Sequence, residues 1–258
     1  MIAFVIGGKK MNEVLKQLHA RKSVRAYEDK IITPEEKNAI IEAGIQAPTA
    51  GNMMLYSVID VTDQSIKDKL AISCDNQPFI AQASLVLVFL ADYQRLYDMF
   101  TRSVEGEITK PNESDLLLAM ADAMCAAQNM VVAAESMGIG SCYIGDIVEN
   151  YEEVKELLSL PDYAAPVAML VFGYPSEQQK ARQKPSRFGM KYVVHENHYR
   201  HLSPQEQTTM IKESIVNETA RELVTAESYS KRIYEVKFNS AFSAEMRRSM
   251  KEIMKNWK

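Results

Sequence analysis

The chain has 258 residues, 47% hydrophobic and 25% charged, the balance of a globular protein with a buried core and not of a disordered one. Lys and Arg number 30 against 34 Asp and Glu, a formal charge of −4 that excludes generic nucleic-acid binding, which needs a basic face. Three scattered cysteines, Cys74, Cys125 and Cys142, form no CxxC pair and argue against a disulfide framework or a thiolate zinc cluster.

In the opening MIAFVIGGKK the lysines follow a short apolar run, the reverse of a secretory leader, so residues 1–10 read as an extension outside the core. Asn12 then caps a helix to His19, with Val14, Leu15 and Leu18 on one face, and the basic run Arg21 to Arg25 closes it. Thr33-Pro34-Glu35-Glu36 opens a second helix to about Ala47: Thr33 is the cap, Pro34 the first position and Glu36 the reciprocal partner of a capping box. Pro48 stops it, and Pro48-Thr49-Ala50-Gly51-Asn52 is a loop.

Tyr56 to Val61 reads as a strand, Gln64 to Ser73 as a short helix, Cys74 to Pro78 as a loop, and Leu85 to Ala91 as a strand buried on both faces. Ser114 to Met137, rich in Ala, Met and Leu on nearly every side, is expected to be a central core helix. No apolar stretch after the opening residues reads as long enough to span a bilayer. Gly138-Ile139-Gly140 ends the central helix, and Cys142 to Ile144 and Val167 to Phe172 are further strands, the second running into Gly173-Tyr174-Pro175. Polar helices are expected over Ser203 to Glu227 and Ala244 to Trp257, as either a small cap or, the favoured reading, an arm embracing a second subunit. With no repeat and no low-complexity linker, residues 1–258 read as one domain.

Arg21-Lys22-Ser23-Val24-Arg25 is the densest chemical signal. Cations at a helix C-terminus suit the macrodipole, so simple capping is one reading. The other is an anion site, because extended backbone throws Arg21, Ser23 and Arg25 to one side, two guanidinium groups and a hydroxyl together. Far downstream, Lys180-Ala181-Arg182 is either a solvated loop or a second clasp on the same anion. Neither GxGxxG after a strand nor GxxxxGK is present, so neither a Rossmann nucleotide site nor a P-loop is indicated. His195, His198 and His201 invite a metal reading, but the pattern is not HExxH and Arg200 intrudes, which favours a polar surface segment. No protein nucleophile signature appears, so an enzyme of this sequence borrows its chemistry from a cofactor.

In this order the pieces resemble the nitroreductase family of flavin enzymes, in particular its oxygen-insensitive NADPH nitroreductase and NADPH flavin reductase branch. The likeness runs from about Met11 to Trp257. It rests on the basic-x-Ser-x-basic segment Arg21 to Arg25, the small-residue loop Ala47 to Asn52, and Gln77 in Asn76-Gln77-Pro78-Phe79. It rests also on the Gly-x-Gly strand entry Gly138 to Gly145, the Gly-Tyr-Pro turn with Lys180 and Arg182, and Val194-His195-Glu196-Asn197.

The resemblance implies an α+β fold with a central, mainly antiparallel sheet flanked by helices, and a cytoplasmic homodimer with a C-terminal arm and FMN at the interface. Arg21, Lys22, Ser23, Lys180 and Arg182 are then implied to surround the FMN phosphate, with Arg25 near the pyrimidine end of the flavin. Pro48, Thr49, Ala50, Gly51 and Asn52 would border ring and ribityl chain, and Gln77 would bond the pyrimidine edge. Ile139, Gly140, Ser141 and Tyr143 would lie at the ring, a glycine there letting backbone approach closely. NADPH or NADH would reduce FMN by hydride transfer and a small acceptor, such as a nitroaromatic, quinone or free flavin, would then replace it in a ping-pong scheme. Nucleic acid, membrane and metal play no part in that expectation. A flavin reductase, a reductase for a specialised acceptor and a non-catalytic flavin-binding module are the alternatives.

Overall fold

A computed structural model describes residues 5–6, 9–215 and 224–258. Of the expected helix Ser203 to Glu227, residues 216–223 lie outside the described residues, as do 1–4 and 7–8 of the opening extension. The chain divides into two compact units, one formed by residues up to Arg182 with Glu245–Lys258, the other by Gln183–Ala244.

In the first unit the two-residue strands β1 (Val5–Ile6) and β2 (Lys9–Lys10) pair with each other. The main sheet has the order β3 (Tyr56–Asp60), β4 (Leu85–Asp92), β6 (Ala164–Gly173), β5 (Gly140–Ile144), every pairing antiparallel. All of β4 is buried, and its side chains alternate between two cores. Val86, Val88 and Leu90 enter one core; Leu85, Leu87 and Phe89 enter the other. β6 begins at Ala164, three residues before the expected strand, because the ladder shifts register at Phe89/Leu90 opposite Pro166. A bulge lets a proline, which lacks an N–H, sit inside a sheet.

Helices α1 (Glu13–Ala20), α2 (Pro34–Ile45), α3 (Gln64–Ser73), α4 (Gln94–Ser103), α5 (Glu113–Ser136), α6 (Tyr151–Leu157) and α7 (Glu177–Ala181) complete this unit. The capping box of α2 forms both of its bonds, Glu36 N–H to Thr33 Oγ1 and Thr33 N–H to Glu36 Oε2. On α1 the apolar face carrying Val14, Leu15 and Leu18 is exposed. By length and apolarity alone α5 is sufficient to cross a membrane, which corrects the expectation that no such stretch exists. Its apolar character has a packing explanation: α5 lies against α2 and all four strands of the main sheet.

The expected arm is also corrected over its final stretch. The helix Ala241–Ile253 brings residues from Glu245 onward back to this chain's own core, where Trp257 is fully buried and its ring meets Tyr163 edge-on at 5.8 Å. Arg248 clasps Glu152 with two bonds, of 2.5 and 2.7 Å, at the start of α6. A single tryptophan carries more burial energy than the polar composition around it suggests.

The second unit holds the short α8 (Met190–Val193), α9 (Pro204–Glu213) and the helix Ala226–Ile233, which packs on α9. Lys191 and the Tyr192 hydroxyl both reach Glu213, at 2.9 and 3.0 Å. The Tyr199 ring lies between His195 and His201, and among the described residues no three metal-ligating side chains come together.

Candidate active site

After α1 the backbone runs extended beside the main sheet. Val24 N–H donates to the Ser141 carbonyl at 3.0 Å, bridging Ser23 to Ser141 near the start of β5. Alternation then separates Val24, which is buried, from its neighbours. Burial pushes the Cys142 thiol pKa up, and Arg25, Ser23 and Arg21 act against that shift.

Lys22 connects this segment with the downstream basic pair. Its ammonium donates to the Lys180 carbonyl at 2.7 Å and to the Arg182 carbonyl, the open acceptors at the end of α7. The Lys180 side chain has a different engagement, since its ammonium lies 2.7 Å from both Glu28 and Glu177. Arg182 follows α7 as its C-terminal cap residue and projects from the same turn. Gln179, buried in the middle of α7, accepts from Arg25 N–H at 3.3 Å and donates to the Ser23 carbonyl at 3.2 Å.

At the opening of β5 the structure gives Gly140 a packing role. A Cβ at Gly140 would stand 2.4 Å from Val24 Cγ2 and 2.8 Å from Val24 Cβ, so the missing side chain makes room for Val24. The side chain of Ile139 is likewise fully buried in the core beneath the sheet. Ser141 is buried with its hydroxyl unpartnered, and Tyr143 donates to Gln128 Oε1 at 3.3 Å. Burial pushes the Tyr143 phenol up to about 12, with Arg21 acting against it.

Gln77 joins the same surface through Phe79, whose ring centroid lies 5.8 Å from the Arg25 guanidinium. Both N–H bonds of the Gln77 amide are in use, one on the Cys74 carbonyl at 2.8 Å and one on Asp146 at 2.5 Å. Two acceptor-only partners fix the amide orientation and leave Gln77 Oε1 as an acceptor.

The Pro48 to Asn52 loop stands elsewhere. The buried carboxylate of Asp122, on α5, accepts from the Thr49 hydroxyl, from Ala50 N–H at 2.9 Å and from Leu55 N–H at 3.1 Å. Gly51, Asn52 and Met54 all have positive φ, between 50° and 57°, and Pro48, Gly51 and Asn52 are exposed. The loop feeds β3 at the Ala91 end of β4, whereas Ser141 aligns with Phe172 at the Leu85 end. Between Asp122 and Ser136 α5 rises roughly 20 Å, which keeps the loop and the basic segment of one chain apart.

The sequence profile of the nitroreductase family matches residues 18–174, a span that takes in the basic segment, the loop, Gln77 and the β5 opening. The chain belongs to the nitroreductase family. Within it, the chain is 34% identical over 191 residues to the FMN reductase (NADPH) of Bacillus subtilis, covering 73% of this chain and 75% of that protein. It is 34% identical over 193 residues to the NADPH-flavin oxidoreductase of Vibrio harveyi, covering 75% and 77%. Among solved structures, the NADPH:FMN oxidoreductase from Vibrio harveyi complexed with NAD+ superposes with a TM-score of 0.77 at 27% identity, covering 94% of this chain and 98% of that one.

For this nitroreductase-family member the sequence left Asp122, Asp146 and Gln179 unmarked, although each holds a site segment in place. Asp122 carried one usable signal: it lies in the helical row of Ala119, Ala123 and Ala126, an acid on an otherwise apolar stripe. The packing at Gly140 carries its own expected result. Gly140→Ala should destabilise the fold by about 1–3 kcal/mol through overpacking against Val24. Adding Val24→Ala should recover part of that loss in urea unfolding, and two costs that simply add would refute the contact.

Proposed function

We propose that this chain is an NAD(P)H-dependent FMN oxidoreductase acting on small electron acceptors such as nitroaromatics, quinones or free flavin. The tie of the Arg21 to Arg25 segment, through Lys22, to the turn bearing Arg182 is the observation that carries this reading. The relatives named for FMN reduction with NADPH support it. The residues fit the cofactor: Arg21 Nη1 and Ser141 Oγ are buried polar atoms without a partner, capacity that suits an oxygen-rich anion.

FMN, when bound, supplies the redox chemistry, taking hydride from NAD(P)H and passing electrons to the acceptor. Arg21, Lys22, Ser23 and Arg182 hold its phosphate, with Lys180 in support through its pairs with Glu28 and Glu177. Arg25 faces the pyrimidine end and stabilises negative charge there. Gln77, able only to accept, recognises an N–H on that edge. Hydride transfer needs no acid or base from the chain, and nicotinamide and acceptor occupy one open face in turn.

The separation of the Thr49 to Asn52 loop from the basic segment supports a homodimer in which a second copy's loop completes each site. Free Cys74, Cys125 and Cys142 suit a reducing compartment, so the cytoplasm is the proposed location.

The purified protein is expected to show a visible flavin band that anaerobic NADPH bleaches, faster than NADH does. Initial rates against both substrates should give parallel double-reciprocal lines. A protein that stays colourless after FMN is supplied would overturn the reading; a yellow one that neither nucleotide bleaches would favour a flavin-binding module.

A further inference from the structure

We infer that Gln179 is a positioning residue for the cofactor cradle: its carboxamide stands in for a missing strand and fixes the extended backbone that presents Ser23 and Arg25. This inference rests on the function proposed above.

The backbone from Ser23 to Glu28 has two edges. One edge is paired by backbone: Val24 N–H with the Ser141 carbonyl, Glu28 N–H with the Tyr174 carbonyl at 2.9 Å, and the Ala26 carbonyl with Ser176 N–H at 3.0 Å. Residues 24, 26 and 28 face that edge, so the polar groups of residues 23 and 25 point the other way. There no strand follows. Gln179 fills the gap with both halves of its amide, the oxygen accepting from Arg25 N–H and the nitrogen donating to the Ser23 carbonyl. An amide side chain has the same donor and acceptor as a peptide group, so one residue reproduces one rung of a ladder.

Three observations separate this arrangement from an incidental surface contact. Gln179 is only 5% exposed, so its amide has no water to fall back on. The two bonds flank Val24, whose side chain fills the space over Gly140, so the clamp holds the segment at the point where it is locked to β5. The same helical turn is held from the other direction by Lys22, through the Lys180 and Arg182 carbonyls. Gln179 and Lys22 thus join the two basic segments reciprocally, each segment donating to and accepting from the other. If Gln179 is removed, Ser23 and Arg25 remain present but their backbone is held from one edge only, and the alternation that aims them is loosened.

The test uses Gln179→Met, which keeps the length and loses both bonds, in the full chain. Amide exchange of the flavin-free protein should be faster at Arg25 than in the unmodified protein. The FMN dissociation constant, from quenching of flavin fluorescence, should rise about 5- to 100-fold, the range that two lost hydrogen bonds allow. At saturating FMN the midpoint potential of the bound flavin should become more negative, because a misaimed Arg25 stabilises the reduced form less. Should Gln179→Met fail to fold, Gln179→Glu serves: it keeps the acceptor for Arg25 N–H and loses the donor to Ser23, so exchange at Arg25 should stay slow while FMN still weakens.

Unchanged exchange at Arg25 would overturn the clamp. Weaker FMN binding at an unchanged potential would overturn the positioning role and leave Gln179 a merely structural residue. Failure of the unmodified protein to bind FMN would remove the function reading and this role with it, and the exchange measurement, which needs no flavin, distinguishes that case from failure of the clamp.

Discussion

Asp122→Ala is expected to lower the free energy of unfolding by about 3–5 kcal/mol, measured by urea denaturation of the flavin-free protein. The carboxylate is 5% exposed and accepts from three donors, the Thr49 hydroxyl, Ala50 N–H and Leu55 N–H. Thr49 Oγ1 in turn accepts from Met54 N–H at 2.8 Å, so one side chain organises the loop from Thr49 to Leu55. That loop is costly to hold: Asn52 and Met54 have φ of 57° and 50°, a region that side chains other than glycine disfavour by about 1–2 kcal/mol each. Removal of the carboxylate leaves buried N–H groups unpaired as well as releasing the strained backbone. Asp122→Asn should fall between, since the amide oxygen can satisfy only part of the donor set. A loss below about 1 kcal/mol for the alanine variant would mean that water or another group replaces the carboxylate.

Elements whose cause is local were legible in the sequence. The capping box at Thr33 and Glu36 needs only four consecutive residues, and it forms as expected. The helix Gln64–Ser73 has the expected limits, with Asp63 as its cap. α4 was missed because no side chain caps it and Tyr93, which precedes it, is not a helix-start signal. The start of β6 was missed because Pro166 reads as a breaker until a bulge in the pairing with β4 accommodates it. The return of the C-terminus was missed for a related reason: Ile253 and Trp257 stand among charged residues, and nothing local reveals that a core 94 positions upstream, around Tyr163, receives them.

The site divides in the same way. Alternation in Arg21 to Arg25 could be read from five residues, and Val24 N–H does pair with the Ser141 carbonyl with the Val24 side chain buried. The meeting of Lys22 with the Lys180 to Arg182 turn spans 158 residues and depends on where β5 and β6 bring the chain. Asp146 is a single acid with an ordinary turn around it, and only the fold reveals that it orients Gln77. At Gly140 the fold supplies a packing cause that the local sequence does not show. A glycine is expected there for close approach of a ligand, and in the structure Val24 also occupies the space that a side chain would fill.

Arg25 and Arg182 should separate the two ends of the proposed cofactor. Arg182→Ala is expected to weaken FMN by about 10- to 150-fold, the value of one charge-assisted bond, and to leave riboflavin, which has no phosphate, almost unaffected. Arg25→Ala should weaken both flavins alike and shift the potential of bound FMN to more negative values, because Arg25 lies beside Phe79, next to Gln77, and not on the turn that carries Arg182. Lys180→Met provides the internal comparison. Its ammonium is already shared between Glu28 and Glu177, so its removal should cost less FMN affinity than removal of Arg182. A larger loss for Lys180→Met than for Arg182→Ala would mean that the ammonium leaves both carboxylates when the phosphate arrives. Equal losses of riboflavin and FMN in Arg182→Ala would move that guanidinium away from the phosphate and toward the ring, and the assignment of the two arginines would have to be exchanged.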